Sequence, residues 1–242
     1  MIELEADGLF LYFGDDYVLN DFITIKQPTI GDIVDYGEKN YFSMVYSLCA
    51  IPSDMKANLW DIGIDWNDLE DFQLFQMLSM SLTPDKTGIL FGDLDLSKLK
   101  LYHNPQNDEV VLADKDTGLI IDNLIYTRMV NYLRKLHNIK PKVEKTKSKT
   151  TKQWLIEEDR KRIESNKNKP FRSYLLPLIS TVKVKQGYTK DYIRNMGLYE
   201  FFDDVSRIQA VDQAFHLLNG AYCGMADLKS VPKDQFNYMR EL

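Results

Sequence analysis

The sequence lacks the features that would place it in a specialised class of protein. No run of about 18 uncharged apolar residues occurs in its 242 residues, so a membrane-spanning helix is not expected. Cys49 and Cys223 are its only cysteines, too few for a disulfide framework or a metal cluster. A reducing cytosol is therefore the default compartment. The acidic start MIELEAD predicts that no secretory signal is present.

Catalytic motifs are also scarce. The three histidines, His103, His137 and His216, have no Cys, His or acidic partner at a spacing typical of metal ligands. The chain contains no P-loop, no GxGxxG and no GxSxG nucleophile motif. Because catalytic sites gather distinctive residues, the sequence predicts a protein that is not an enzyme and has no cofactor or metal.

Two acidic patterns resemble parts of cation sites. Asp93 and Asp95 in GDLDL would face the same way on an extended chain, but no further ligand follows, so solvated turn carboxylates are favoured. The stretch DKDTG at 114–118 places Gly one position too early for a calcium loop, so a hairpin turn is favoured there. Cys49 and Cys223 are both predicted to be small buried side chains.

Charge is distributed unevenly along a chain of ordinary composition, with 44% hydrophobic and 27% charged residues. The net charge is −13 over 1–139, +6 over 140–169 and +1 over 170–242. The sequence predicts an N-terminal α+β domain over 1–139, a basic connector and polar helix over 140–169, and a C-terminal helical domain over 170–242.

The connector has several interpretations. It has no large apolar residue other than Val143 before Trp154, so it has little to bury and a solvated linker is favoured. The next most favoured interpretation is an arm that binds another protein. A further alternative is an arm that binds the acidic N-terminal region of the same chain. Nucleic acid is the least favoured partner, because Trp154 is the only aromatic residue that could stack on a base.

Hydrophobic spacing predicts a mostly α-helical α+β fold with an N-terminal β-hairpin and a small antiparallel sheet. The hairpin is predicted from Leu9–Phe13, a turn at 14–16 and a return strand over 17–25. Helices are predicted near 29–50, 53–62, 67–82 and 122–138, with caps at Thr29 and Asp122. The sheet is predicted within 84–121, from short apolar pieces at Gly88–Phe91, Leu99–Tyr102, Val110–Leu112 and Leu119–Ile121.

The C-terminal part is predicted to be helical throughout. After a polar helix over 151–167, which is expected to be exposed or to pack against a partner, an apolar stretch follows over 173–184 and a short helix begins at Thr189. The strongest helical pattern covers 198–218 and is expected to stop at 219–220. Its apolar positions are Leu198, Phe201, Val205, Ile208, Val211, Phe215 and Leu218.

Four stretches together resemble a known group of proteins. They are ITIKQPTIGDIVDYGEKNYFSMV at 23–45, LWDIGIDWNDLEDFQLF at 59–75, the stretch over 133–160, and GAYCGMADLKSVPKDQFNYMREL at 220–242. They resemble proteins encoded in the tail-morphogenesis cluster of tailed phages and prophages of Gram-positive bacteria. The closing motif is the most distinctive, and its residues are Gly220, Gly224, Asp227, Lys229, Asn237, Met239, Arg240 and Glu241.

This resemblance implies a function in virion morphogenesis. Products encoded between the tail-tube and tape-measure genes are interpreted as tail assembly chaperones, which bind the tape-measure or tail-tube protein in the bacterial host cytoplasm. The alternative is a structural virion subunit of the tail, neck or baseplate, which would use the 140–169 arm to clasp a neighbour. A homo-oligomer is left open, and neither a membrane nor nucleic acid is an expected partner.

The predicted partner-facing surface has two parts. The first is the connector, whose cations would attract an acidic surface, together with its tryptophan. The second is the aromatic and basic end of the chain. The predicted partner-binding residues are Lys145, Lys147, Lys149, Lys152, Trp154, Phe236, Tyr238, Met239 and Arg240.

Overall fold

The computed structural model describes residues 8–104, 109–224 and 231–240. Eleven helices and five strands are assigned over these ranges. In chain order they are α1 (Gly8–Tyr12), β1 (Tyr17–Val18), β2 (Thr24–Ile25), α2 (Ile30–Tyr36), α3 (Glu38–Cys49), α4 (Lys56–Asp61), α5 (Asp71–Ser79), α6 (Pro84–Phe91), β3 (Lys100–Asn104), β4 (Glu109–Ala113), β5 (Ile120–Ile121), α7 (Asn123–Leu136), α8 (Lys149–Lys167), α9 (Leu175–Gln186), α10 (Lys190–Asn195) and α11 (Leu198–Tyr222). None of the helices in these ranges is both long and apolar enough to cross a bilayer.

The predicted fold class is confirmed. The protein is mostly α-helical, with an antiparallel hairpin of β1 and β2 and a separate antiparallel meander in the order β3-β4-β5. In the meander, Tyr102 pairs with Val111, and Leu112 pairs with both Leu101 and Ile121. The turn between β4 and β5 is the predicted DKDTG hairpin turn, which Asp114 stabilises by accepting hydrogen bonds from Asp116 N and Thr117 Oγ1.

Helix starts follow the predicted caps. Thr29 Oγ1 accepts from Asp32 N at 3.1 Å while Asp32 Oδ2 accepts from Thr29 N at 2.9 Å, which is a reciprocal cap on α2. Asp122 Oδ1 accepts from the backbone of α7 at 2.7 Å, and Thr189 Oγ1 accepts from that of α10 at 3.1 Å. These local side chain–backbone bonds fix where each helix begins.

Other predicted elements were wrong. Leu9–Phe13 was predicted as a strand, but Gly8–Tyr12 is helix α1, and the hairpin lies entirely within 17–25. Gly88–Phe91 was also predicted as a strand and instead ends α6, a helix that begins at Pro84. The helix predicted over 67–82 covers only Asp71–Ser79, and a capping box of Glu70 and Gln73 fixes its start.

The contacts divide the chain into two compact units. The central unit contains 16–27 and 35–172, and the C-terminal unit contains 8–15, 28–34 and the described residues from 173 onward. These units differ from the predicted division at residues 139 and 169. The connector groups with the middle of the chain, and two N-terminal segments group with the C-terminal helices.

Aromatic side chains build much of the core of the central unit. Tyr126 packs between Phe72 and Phe75, with ring centroids 5.2 and 5.0 Å away, and Tyr17 stacks on Tyr132 at 4.4 Å. A second cluster of buried side chains lies around α4 and α8; it contains Ala50, Ala57, Leu59, Trp66, Leu74 and Ile156. Ile156 lies in the 140–169 segment that was predicted as the connector and polar helix, so this segment contributes to the apolar core of the unit.

The C-terminal unit is built on α11, which packs against α1 and α9. The first half of α11 is buried through Leu198, Phe201 and Ile208. Gly31 permits the close approach of α2 to α10, since a Cβ at this position would lie 2.8 Å from the carbonyl oxygen of Arg194. The same approach is held by the hydrogen bond from Ile30 N to Met196 O, at 3.0 Å.

Candidate interaction surfaces

The connector is packed, contrary to the solvated linker that was favoured from the sequence. Ser53 Oγ accepts from Glu144 N at 2.9 Å, and Trp66 Nε1 donates to Glu144 O at 2.9 Å. The Glu144 carboxylate also forms salt bridges with Lys56 at 2.9 Å and Lys142 at 2.6 Å. Hydrogen bonds from Lys142 and Lys56 lower the pKa of Glu144 to about 2, so its carboxylate is ionised at neutral pH.

A second anchor follows two residues later. Thr146 N donates to Asn67 Oδ1 at 3.1 Å, and Asn67 Nδ2 donates to Thr146 O at 3.2 Å. The Asn67 side chain thus pairs with Thr146 as a neighbouring strand would. Both anchors lie in the central unit, so the connector is fixed to the body of that unit by its own backbone.

Helix α8 continues the attachment. Ile156 is completely buried in the cluster around α4. Asp159 is also buried, and its Oδ2 accepts from Ala57 N, at the start of α4, at 3.0 Å, while its Oδ1 accepts from Arg162 at 2.5 Å. A buried carboxylate with both oxygens bonded stabilises a helix N-terminus without leaving an unpaired charge.

The five predicted partner residues of the connector have different environments. Lys152 is partly buried, forms an ion pair with Asp65 and lies over the rings of Trp60 and Trp66. Its charge is therefore compensated within the central unit. Trp154 is 59% exposed. The other three are exposed and have no ion-pair or hydrogen-bond partner for their ammonium groups among the described residues; they are Lys145, Lys147 and Lys149.

The four predicted partner residues at the C-terminus lie beside α11. A 3₁₀ turn over Lys233–Phe236 packs on that helix, and Phe236 is half-buried. Arg207 on α11 donates to the carbonyl oxygens of Tyr238 and Arg240, whereas Arg240 itself donates to Gln213 Oε1 at 3.2 Å. Tyr238 and Met239 remain exposed. Of the closing sequence motif, Asp227, Lys229 and Glu241 fall outside the described residues.

The second half of α11 carries an exposed apolar surface. Val211, Phe215 and Leu218, three of the apolar positions from which this helix was predicted, are exposed, Phe215 by 61%. The helix also passes through the predicted stop at 219–220 and ends at Tyr222, which is 87% exposed. We call Val211, Phe215, Leu218 and Tyr222 the α11 stripe. Hydrophobic spacing indicates the stripe but does not reveal whether anything covers it.

The titratable groups singled out in the sequence are mostly structural. His137 is buried, with Nε2 2.6 Å from Tyr41 Oη and Nδ1 2.7 Å from Leu133 O. Because a carbonyl oxygen only accepts, Nδ1 carries the proton and Nε2 accepts from the tyrosine. Burial lowers the pKa of His137 to about 4, so the ring is neutral at pH 7. His103 and His216 are exposed.

The cysteines and the GDLDL carboxylates also have plain roles. Cys49 is buried as predicted, and burial raises its thiol pKa to about 12, whereas Cys223 is exposed, contrary to the prediction. Asp95 accepts from Ser97 N and Oγ at the start of a 3₁₀ turn. Within the described ranges, no group of three or more His, Cys, Asp or Glu side chains is arranged to hold a metal ion.

The central unit also has a shallow, open cleft of about 680 Å³ beside α8. Its lining is Tyr46, Arg162, Ile163, Asn166 and Lys167. The Tyr46 hydroxyl and the Arg162 guanidinium both donate to Asp54 O, at 3.2 and 3.3 Å. Two of the polar groups that line the cleft are therefore already bonded to the backbone, and a small-molecule site usually has several free polar groups that converge.

Comparison of the chain with family models, curated proteins and solved structures finds no match.

Proposed function

We propose that the protein is a non-enzymatic tail assembly chaperone of a phage, which binds a helical segment of the tape-measure protein through the α11 stripe. The resemblance in the sequence suggests the tail-morphogenesis cluster. The observation that carries the proposal is the exposed second half of α11, where four large apolar side chains, between 39% and 87% exposed, lie on one face of the helix.

The spacing of the stripe fits a helical partner. Its steps of four, three and four residues are those of a coiled-coil seam, in which side chains insert between those of a facing helix. At 1.5 Å per residue, the stripe is about 17 Å long, or roughly three helical turns. An amphipathic helix placed in this position would cover it in the manner of other helix-recognition surfaces.

The helical segment that carries the stripe has little charge of its own. Asp212 is the only carboxylate within 211–222, and it is ion-paired with Lys185 at 2.6 Å. Small residues, Gly220 and Ala221, lie near its end, where they permit a close approach of a second helix. Recognition on this face would therefore depend on apolar burial, which suits a chaperone that binds aggregation-prone helices.

Co-expression with the tape-measure protein tests the proposal. We expect the wild-type chain to keep the tape-measure protein soluble and to co-purify with it, and we expect Phe215→Glu with Leu218→Glu to abolish both effects. Leu176→Glu with Val184→Glu is the matched control, because these exposed apolar residues lie in the same unit on α9. Unchanged co-purification of the stripe variant would contradict the assignment of this surface.

Virion composition separates the chaperone from the alternative, a structural virion subunit. Mass spectrometry of purified virions, quantified against the tail-tube protein, should not detect the chain if it is a chaperone. A fixed copy number in virions would refute the chaperone and favour the structural subunit. The free clasping arm expected of such a subunit has no support from the connector, whose residues 144 and 146 are bonded to the central unit.

A further inference from the structure

The connector segment 144–148 has an alternating pattern of contacts. Glu144 and Thr146 bond through both backbone N–H and C=O to Ser53, Trp66 and Asn67 of the central unit. Lys145 and Lys147 make no backbone hydrogen bond to any described residue. This alternation is typical of an extended chain, in which successive residues direct their backbone groups to opposite sides.

The backbone N–H and C=O groups on one side of this segment are therefore hydrogen-bonded, and those on the other side have no partner among the described residues. The open side offers the N–H and C=O groups of Lys145 and Lys147, up to four hydrogen bonds in all. The side chains of these residues are exposed and, within the described ranges, have no ion-pair partner. Because alternate residues of a strand are about 6.6 Å apart, the two lysine side chains leave the same face of the segment at about that interval.

We propose that segment 144–148 is a docking edge for an extended acidic peptide of a partner protein, which pairs with Lys145 and Lys147 as an added strand. Carboxylates at alternate positions of such a peptide have the same spacing as the lysines, so each meets an opposite charge across the pair. Lysine on an open edge repels a second copy of the same edge, which selects for an acidic strand. This inference does not depend on the tail function.

An acidic peptide fits this edge better than nucleic acid. Besides the lysines at 145, 147 and 149, the predicted partner-binding residues of the connector are Lys152 and Trp154. Lys152 is already ion-paired with Asp65, which leaves Trp154 as the nearest exposed aromatic residue in the connector. Stable binding of a single strand needs successive stacking platforms along a cationic groove, and strand pairing needs only the open backbone groups.

Fluorescence anisotropy of the full chain with a labelled Glu-Thr alternating octapeptide tests the charge requirement. At low salt, we expect replacement of the three exposed lysines with Gln to weaken binding of the Glu-Thr peptide by about tenfold. A Gln-Thr octapeptide should bind the wild-type chain no more tightly than the Glu-Thr peptide binds that variant. The edge variant combines Lys145→Gln and Lys147→Gln with Lys149→Gln, which lies at the start of α8. The control with the same loss of charge is Lys161→Gln, Lys183→Gln and Lys190→Gln, which should bind within about twofold of wild type.

A second pair of variants tests the backbone requirement. Lys147→Gln and Lys147→Pro remove the same charge, but only proline removes the N–H that faces the open side. We expect the proline variant to bind at least about threefold more weakly than the glutamine variant, with an unchanged thermal transition. The proposal would be overturned if the proline and glutamine variants bound the peptide equally, or if the edge and control variants lost the same affinity. It would also be overturned if the peptide did not bind, or if an oligothymidylate bound more tightly than the peptide.

Discussion

Protonation of His137 should destabilise the central unit as the pH falls below neutrality. In the folded protein the ring is buried, neutral and hydrogen-bonded to Tyr41 and Leu133, with a pKa of about 4, against 6.5 for the exposed side chain. The unfolded chain therefore binds a proton at a higher pH than the folded chain. The stabilisation is fully present above pH 6.5 and is lost as the pH falls towards 4.

Linkage gives the size of this effect. With these two pKa values, the free energy of unfolding should fall by about 2 kcal/mol between pH 7.5 and pH 5, and by about 3 kcal/mol by pH 4. Most of the loss precedes the range in which carboxylates such as Glu144 titrate, because the pKa of Glu144 is 4.5 in its ordinary state and lower in the folded protein. The interval from pH 6.5 to pH 5 therefore isolates the histidine.

Urea unfolding followed by tryptophan fluorescence measures this loss selectively. All three tryptophans, Trp60, Trp66 and Trp154, lie in the central unit with His137. The variant His137→Gln should be less stable at pH 7.5 and should lose the pH dependence in this interval. Tyr41→Phe should be less stable but keep the dependence, since burial of the ring is unchanged. A wild-type stability that is flat from pH 7.5 to pH 5 would refute the argument.

Three further predictions concern packing and thiol reactivity. Gly31→Ala should destabilise the protein by about 1–3 kcal/mol in thermal unfolding because the new Cβ overlaps a backbone oxygen, whereas Gly88→Ala, in open helical space, should be neutral or stabilising by up to about 1 kcal/mol. Asp159→Ala should reduce stability to urea by about 1–3 kcal/mol, because a buried backbone N–H loses its acceptor, and an unchanged midpoint would contradict that role. In the native protein Cys223 should react with a thiol reagent and Cys49 should not, until denaturant is added; equal rates would show that Cys49 is accessible.

Local signals made part of the fold predictable. Thr29 and Asp122 were predicted as caps, and Thr189 as the start of a helix, because a side chain that bonds to the backbone three residues away needs no tertiary information. The short strands of the meander were recognised from apolar runs between turn residues. The same criterion failed at Leu9–Phe13 and Gly88–Phe91, where an apolar run of four or five residues fits a helix as well as a strand.

The candidate surfaces depended on distant contacts and were less predictable. The bonds that hold Glu144 and Thr146 come from Ser53, Trp66 and Asn67, more than 75 residues earlier in the chain, so the composition of the connector does not reveal them. For the α11 stripe, the apolar spacing was recognised from the sequence but the exposure was not. The same spacing occurs in a helix buried in a core and in a helix that binds a partner protein.

The discontinuous C-terminal unit imposes an order on folding during synthesis. Ile30 bonds to Met196, and Thr29 forms a bridge with Gly197, so these partners emerge from the ribosome about 170 residues apart. At 5–20 residues per second, α1 and the start of α2 wait roughly 10–30 s for the helices that cover them. The central unit ends at residue 172 and can fold during that interval. The last helices therefore complete a unit whose first segments are made before most of the central unit.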